Sequence, residues 1–410
     1  MRVSLQSALS DANVDANQAV SQRQLAIAVA AVAETESRNL PLNLCLILDH
    51  SGSMKGRSLD IVKQAANQLV DRLSPQDHLT VVAFDHKAKV LIANQAISNP
   101  TTLKQQINQL QAGGGTAIDE GLRMGVEELV KSQKEAVSQA FLLTDGENEH
   151  GDDDRCLKLA KLAADYNLTV NTLGFGDRWN QDVLEKIADA GGGTMAYIPQ
   201  PDAAVGEFNR LLNRMRSVGL TDAHLLLSLS PGVRLAELKP IAQVAPDTIE
   251  LFVQQEGEFH QVRLGDLMDS PRVVLVNLYL DKLAAGVQTI AQAQIRYTDP
   301  SGEERLFSET LPIRANFLSP FQSALDPQVQ QYILALAKYR QTQIAETKLQ
   351  AGDRDGAITM LQSAAKTALQ MGDRGGATVL QANATRLQSG EALSAGDRKQ
   401  TRLIAKTSLR

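Results

Sequence analysis

The spacing of apolar residues changes along this chain, and each change predicts a different kind of element. Arg23-Gln24-Leu25-Ala26-Ile27-Ala28-Val29 alternates with the period of a half-buried strand, while Ser10 to Gln22 reads as polar and turn-like. Residues 1–38 are too few to fold alone, so their strands must pair elsewhere. From Asn43 to Arg216 short apolar runs alternate with helical patterns. The runs are Leu44–Leu48, Leu79–Phe84, Ala88–Ile92, Ala140–Thr144, Thr169–Phe175 and Met195–Ile198. Between them, Leu59, Val62, Ala66, Leu69, Val70 and Leu73 recur with helical spacing, as do Ile118, Leu122, Val126, Leu129 and Val130. This predicts a doubly wound, mostly parallel α/β sheet with helices on both faces. The short link Asp85-His86-Lys87 predicts one antiparallel edge hairpin.

From Ser217 to Arg314 the helical period fades. Ala223–Ser230, Ile249–Gln254, Val273–Leu280, Gln288–Tyr297 and Glu304–Leu311 read as strands, separated by turns such as Ser230-Pro231-Gly232 and Asp299-Pro300-Ser301-Gly302. They describe an antiparallel β-sandwich, which the strands of residues 1–38 would complete around an inserted α/β domain. From Asp326 the chain is helical again. Gly352-Asp353-Arg354 and Gly372-Asp373-Arg374, each with an alanine three residues on, read as a helix end followed by the next N-cap. Gly396-Asp397-Arg398 repeats the motif. The spacing is too short for tetratricopeptide repeats, so a plain three-helix appendage is expected. The domain reading is therefore 1–38 with the sandwich, 39–216 α/β, 217–315 sandwich and 316–410 helical.

With 410 residues, 43% of them hydrophobic, the chain can bury a real core. A formal net charge of −6 argues against a protein that coats nucleic acid. No apolar run approaches the ~20 residues that cross a bilayer. Residues Met1 to Asp15 lack the pattern of a signal peptide. Cys45 on a strand and Cys156 on a helix read as ordinary thiols, which points to a reducing, cytoplasmic compartment. The last helix carries Arg398, Lys399, Arg402, Lys406 and Arg410. Such a face is expected to be solvated, or else to dock an acidic partner or a membrane surface.

The candidate chemistry sits at strand ends. Asp49-His50-Ser51-Gly52-Ser53 follows the run Leu44–Leu48, Thr116 follows Gly113-Gly114-Gly115, and Asp145 follows Ala140–Thr144. Carboxylate and hydroxyl oxygens are the donors a hard divalent cation prefers. Asp-x-Ser-x-Ser, a distant Thr and a distant Asp resemble the metal-ion-dependent adhesion site of von Willebrand factor type A (VWA) domains, of the kind found in intracellular bacterial proteins. The resemblance implies a site between the first and fourth strands of the α/β sheet, where open sheets bind ligands. It implies that Ser51, Ser53 and Thr116 offer hydroxyl oxygens to Mg²⁺ (or Mn²⁺ or Ca²⁺), while Asp49 and Asp145 act through water or accept from those hydroxyls. An ion held largely by neutral ligands keeps charge and exchangeable waters, and attracts an Asp or Glu of a protein partner.

Each part has a plainer reading. Ser51-Gly52-Ser53 could be a turn and helix cap, Thr116 an N-cap, and Asp145-Gly146 a strand-end turn. Their joint occurrence favours the metal site. His50 fills a variable position, and Glu147 and Glu149 would tune or block the site. His150-Gly151-Asp152-Asp153-Asp154 reads as a dipole-favoured helix start rather than a second metal site. Gly174-Phe175-Gly176-Asp177 and Gly191-Gly192-Gly193 lack the P-loop residues and read as loops flanking a helix. The expected function is thus non-enzymatic, metal-dependent protein interaction. A partner subunit for an AAA+ ATPase is one alternative, although the chain has no Walker motif of its own. A Mg²⁺-dependent hydrolase is the other, weakened by the lack of a general base beside Ser51 or Ser53 and of a Gly-x-Ser-x-Gly elbow.

Overall fold

The computed structural model describes residues 2–32, 40–131, 136–176, 179–198, 200–300, 302 and 304–406. Of the positions singled out above, Met1, Asp177, Ser301 and Arg410 lie outside the described residues, as does the boundary drawn at 38 and 39.

The α/β unit holds a six-stranded sheet in the order Ala88–Ala96, His78–Phe84, Leu42–Asp49, Val137–Thr144, Thr169–Phe175, Gly192–Ile198. All neighbours are parallel except the edge pair His78–Phe84 and Ala88–Ala96, which is the expected hairpin. The central strand is buried throughout because both its faces are covered. Leu44, Leu46 and Leu48 pack with Leu59, Val62 and Leu69 of helix Arg57–Arg72 and with Phe208 and Leu211 of helix Ala204–Arg216. Cys45 and Ile47 pack on the other face with Leu122, Val126 and Leu129 of helix Ile118–Val130 and with Leu184 of helix Gln181–Ala190. A short helix, Pro100–Asn108, joins the first layer through Leu103 and Ile107.

The strand order reverses between Leu42–Asp49 and Val137–Thr144. The first leads to a helix on one face, Arg57–Arg72, and the second to a helix on the other, Asp153–Asp165. Asp49 and Asp145 stand at the carboxyl ends of these two strands, where the diverging connections leave a crevice.

Two further sheets form a sandwich. One runs Arg2–Leu9, Val20–Val32, Arg272–Asp281, Ile241–Ala245, Ile249–Glu250. The other runs Val253–Glu256, Phe259–Met268, Val218–Leu229, Gly286–Thr298, Leu311–Leu318, Asn13–Asp15. Leu25, Ile27, Val274 and Val276 meet Leu225, Leu227, Ile295 and Phe317 between them. The chain enters the α/β unit after Val32 and returns at Val218, so the α/β unit is an insertion in the sandwich.

Several strands differ from the reading of the sequence. The polar stretch Ser10 to Gln22 contains the short strand Asn13–Asp15 and the start of Val20–Val32. Ile249–Gln254 is two pieces, and the segment read as Glu304–Leu311 holds only the strand Arg305–Phe307, with the main strand following at Leu311–Leu318. Phe259–Met268 escaped the alternation test because its polar residues Gln261 and Asp266 are buried. Asp266 accepts from Gln139 Nε2 (2.9 Å) and Thr169 Oγ1 (2.8 Å) of the α/β unit. The Gly191-Gly192-Gly193 run is mostly strand. A Cβ on Gly193 would lie 2.1 Å from the Val170 carbonyl oxygen, which is why glycine is needed there.

Among the described residues the C-terminal region has four helices, not three: Pro327–Gln350, Arg354–Gln370, Arg374–Gln388 and Ala395–Lys406. Asp353 and Asp373 cap the second and third, accepting from the Gly356 and Gly376 amides. The third Gly-Asp-Arg lies inside the last helix, where Asp397 accepts from the Ser394 amide (3.0 Å). Ala26, Ala242, Val244 and Leu275 of the sandwich pack on Val329, Leu336 and Tyr339, which seats the helices on the first sheet. The basic face of the last helix reaches solvent only in part, through the exposed Arg398. Lys399 is buried, and the side chains of Arg402 and Lys406 are only 11% exposed, against acidic residues of the α/β unit. The acidic partner lies within the chain, and the membrane-facing alternative falls for these residues. No helix among the described residues is long and apolar enough to cross a membrane.

Candidate metal centre

Asp49 ends the central strand and is fully buried. One carboxylate oxygen, Oδ1, accepts the Ser51 amide (2.7 Å), and Oδ2 accepts the Thr144 hydroxyl (2.5 Å). Burial pushes its pKa up to about 6, with the Ser51 and Thr144 hydrogen bonds working against that rise and the nearby Asp145 charge adding to it. Ser51 and Ser53 follow in a tight 3₁₀ turn, Gly52–Met54, and their hydroxyl oxygens stand 3.1 Å apart. The Ser53 hydroxyl donates to Asp145 Oδ1 (2.5 Å), joining the first strand end to the fourth.

Thr116 comes from a different loop. The Gly52 amide donates to the Gly114 carbonyl (3.0 Å), and the Gly113 amide donates to the His50 carbonyl (2.9 Å). These bonds stitch the glycine loop to the Asp-x-Ser-x-Ser turn. A Cβ built on Gly146 would lie 3.1 Å from Thr116 Oγ1 and 3.9 Å from Ser53 Oγ, so both hydroxyls border the same spot beside Asp145. All five candidate residues, Asp49, Ser51, Ser53, Thr116 and Asp145, therefore converge on the crevice.

Ser51-Gly52-Ser53 does form a turn, but neither of the expected side-chain caps forms. Ser51 makes no side-chain cap, and the helix after Thr116 has Ala117 at its N-cap position without a side-chain cap. The Ile118 amide is instead taken by Asn148 Oδ1 (2.7 Å) from the loop after Asp145. Asp152 does cap helix Asp153–Asp165, accepting from the Arg155 amide (3.1 Å), in keeping with a helix start. Among the described residues, no group of three or more His, Cys, Asp or Glu side chains is placed to hold an ion. His50 Nδ1 pairs with the Gln111 carbonyl (2.9 Å) rather than a serine hydroxyl.

The donor set fits a hard cation. Two neighbouring ligands of an octahedral Mg²⁺ at about 2.1 Å stand about 3 Å apart, close to the spacing of Ser51 and Ser53. Ser53 directs its proton to Asp145, which leaves lone pairs free. Sequence reasoning missed Thr144, Asn148 and His150. Thr144 locks Asp49 and also accepts from the Gly146 amide (3.2 Å). The His150 amide donates to the Thr116 carbonyl (2.9 Å), and its ring lies over Gly115, 2.1 Å from where a Cβ would be. An inward-facing Thr at the last position of a buried strand was the available signal for Thr144.

Comparison with known proteins agrees with this geometry. The von Willebrand factor type A domain family matches residues 43–210, and the Sll0103-like, C-terminal alpha-helical domain family matches residues 327–410. The protein sll0103 of Synechocystis sp. (strain ATCC 27184 / PCC 6803 / Kazusa) is 60% identical over 411 aligned residues, covering 100% of this chain and 98% of that protein. The chain belongs to the Sll0103-like VWA proteins. Its fold is shared along its whole length with a von Willebrand factor type A protein from Catenulispora acidiphila. That structure has a TM-score of 0.83 at 18% identity and covers 99% of this chain and 97% of its own. The ArnB paralog VWA2 from Sulfolobus acidocaldarius follows at 0.58 and 15% identity, covering 99% and 98%. The α/β unit is thus a VWA domain carried on a β-sandwich beside a C-terminal helical domain.

Proposed function

We propose that this protein is a non-enzymatic, metal-dependent interaction module. Its VWA domain, residues 39–216, binds a carboxylate of a protein partner through a divalent cation, Mg²⁺ by donor chemistry, with Mn²⁺ and Ca²⁺ as alternatives. The observation that carries the reading is the convergence of Ser51, Ser53 and Thr116 hydroxyls with Asp49 and Asp145 at the strand-order reversal. Ser51, Ser53 and Thr116 would hold the ion. Asp49 has both carboxylate oxygens engaged by the protein and would position the loop. The bound cation supplies an electrophilic centre for the partner's Asp or Glu. Residues 1–38 with 217–315 serve as the scaffold, and 316–410 as the helical support.

A nucleophilic role for the serines finds no support in the site, because the Ser51 hydroxyl pairs with Ser53 and Ser53 with Asp145, while His50 Nδ1 bonds the Gln111 carbonyl. The test is calorimetric titration of Mg²⁺ and Mn²⁺ into wild type and Asp145→Ala, followed by partner recovery from lysate with Mg²⁺ or with EDTA. Metal binding and a metal-dependent partner, both lost in Asp145→Ala, are the expected outcome. Equal metal binding by the two proteins overturns the site, and identical recovery in all four conditions overturns the function.

A further inference from the structure

The helical domain touches the VWA domain through charges. Asp182, Glu185 and Asp189 lie on one face of helix Gln181–Ala190, at the three- and four-residue spacing that aligns side chains. Arg402 and Lys406, four residues apart on the last helix, meet that face. Arg402 bonds Asp182 and Glu346 and lies 3.8 Å from Glu185. Lys406 Nζ lies 2.9 Å from both Glu185 Oε1 and Asp189 Oδ1. The Lys399 ammonium sits 4.0 Å from the Trp179 ring centroid, over the loop that leads into the acidic helix.

Apart from the Trp179 ring beneath Lys399, the apolar groups among the described residues on either side pack within their own domains. Val183, Leu184 and Ile187 of the acidic helix face their own sheet, while Ala405 of the last helix packs with Val329, Tyr339 and Ala242. No hydrophobic cluster among the described residues joins the helical domain to the VWA domain. The last helix is held to its own side independently: Asn383 Nδ2 donates to Thr401 Oγ1 (2.8 Å), and the Thr248 amide of the sandwich donates to the Lys406 carbonyl (2.8 Å). A cleft of 210 Å³ lies in the contact, bordered by Asp182, Glu346, Arg398 and Lys399. Gln181 Nε2 and Glu185 Oε2 are buried there without hydrogen-bond partners.

Opening such a contact exposes charge to water and, beyond the Trp179 ring, little apolar surface. The desolvation that opposes buried ion pairs is regained on opening, and salt screens the rest. The VWA domain stays attached meanwhile through Val218 and Met268, which belong to its own hydrophobic core. We propose that this contact is a releasable ionic clasp, and that the acidic face it covers is a docking surface for a cationic helix carrying Arg or Lys at positions i and i+4. In this chain the last helix fills that face itself, so a partner helix must displace it.

The experiment uses the full chain and its Arg402→Glu/Lys406→Glu variant, with a synthetic peptide of residues 394–406 as the probe. In the variant, hydrogen exchange in Gln181–Ala190 is expected to rise at least tenfold while sandwich strands keep their protection. Emission from Trp179, the single tryptophan, shifts with it. The peptide should bind the variant at least tenfold more tightly than wild type, and adding Asp182→Asn and Asp189→Asn should abolish that gain. Unchanged exchange in the acidic helix, or equal peptide binding by the two proteins, overturns the proposal. Wild type across a salt series gives a second reading that needs no substitution. Protection of the acidic helix must fall before that of the sandwich, and simultaneous loss of both overturns the clasp.

Discussion

At the scale of single residues, Thr144 tests how the proposed centre is held. It is fully buried, and its hydroxyl bridges Asp49 Oδ2 and the Gly146 amide, so it ties the carboxylate of one strand to the loop of the next. Thr144→Val keeps the shape and removes the bridge, leaving a buried carboxylate oxygen without a donor. The expected loss is about 1–3 kcal/mol of folding stability and roughly tenfold in Mn²⁺ affinity, read by chemical denaturation and calorimetry. Gly193 makes a different demand. A methyl group there would strike the Val170 carbonyl, a backbone atom that cannot swing away. Gly193→Ala should therefore cost about 3 kcal/mol, where an exposed strand glycine would gain from the same change. Asp49, Ser51, Ser53, Thr116 and Asp145 could be grouped from the sequence because Asp-x-Ser-x-Ser with a later Thr and Asp resembles the adhesion-site motif of VWA domains. Thr144 could not, since a threonine closing a buried strand looks like any other strand residue until its hydroxyl partner is known.

At the scale of elements, the last helix shows where local pattern stops informing. Its third Gly-Asp-Arg matches the two that mark turns, yet Asp397 lies within the helix and accepts from Ser394. Its cationic residues gave no hint that acids 220 positions away in the chain would receive them. Burial alone would lower the Lys406 pKa, but Asp189 and Glu185 beside it outweigh that and raise it above its ordinary value of 10.5. A raised lysine stabilises the fold fully below that ordinary value and loses its contribution as pH rises through the folded value. Tyr339, pushed up to about 12 by burial and facing the same group, weakens the fold in the same direction. The melting-temperature gap between wild type and Lys406→Met should hold steady from pH 8 to about 10 and narrow above about 11. A gap that widens at alkaline pH would contradict the pairing. Lys406 holds the Tyr339 pKa down, so the comparison is made with Tyr339→Phe in both proteins.

At the scale of the whole molecule, the VWA domain is joined to its scaffold by a polar seam beside a small apolar one. Asp266 is buried by receiving Gln139 and Thr169, and Arg263 Nη2 donates to the Ala164 carbonyl (3.0 Å). Asp266→Ala should separate the unfolding of the two units. Calorimetry that shows one transition in wild type should resolve two in the variant, with about 1–3 kcal/mol lost from the seam. The sequence by itself determined the layers. Period-two and period-3.6 runs fix which face of each element is apolar, and hence a parallel sheet, a sandwich and a helical end. Oxygen donors at strand ends likewise mark a crevice that the topology must create. The tertiary structure alone decided which charges meet, that Phe259–Met268 is a strand despite its buried polar residues, and that the basic helix faces the chain's own acids. Hydrophobic burial depends on a residue's own periodicity and can be read along the chain. The burial of a charge depends on its partner, and the partner is supplied only by the fold.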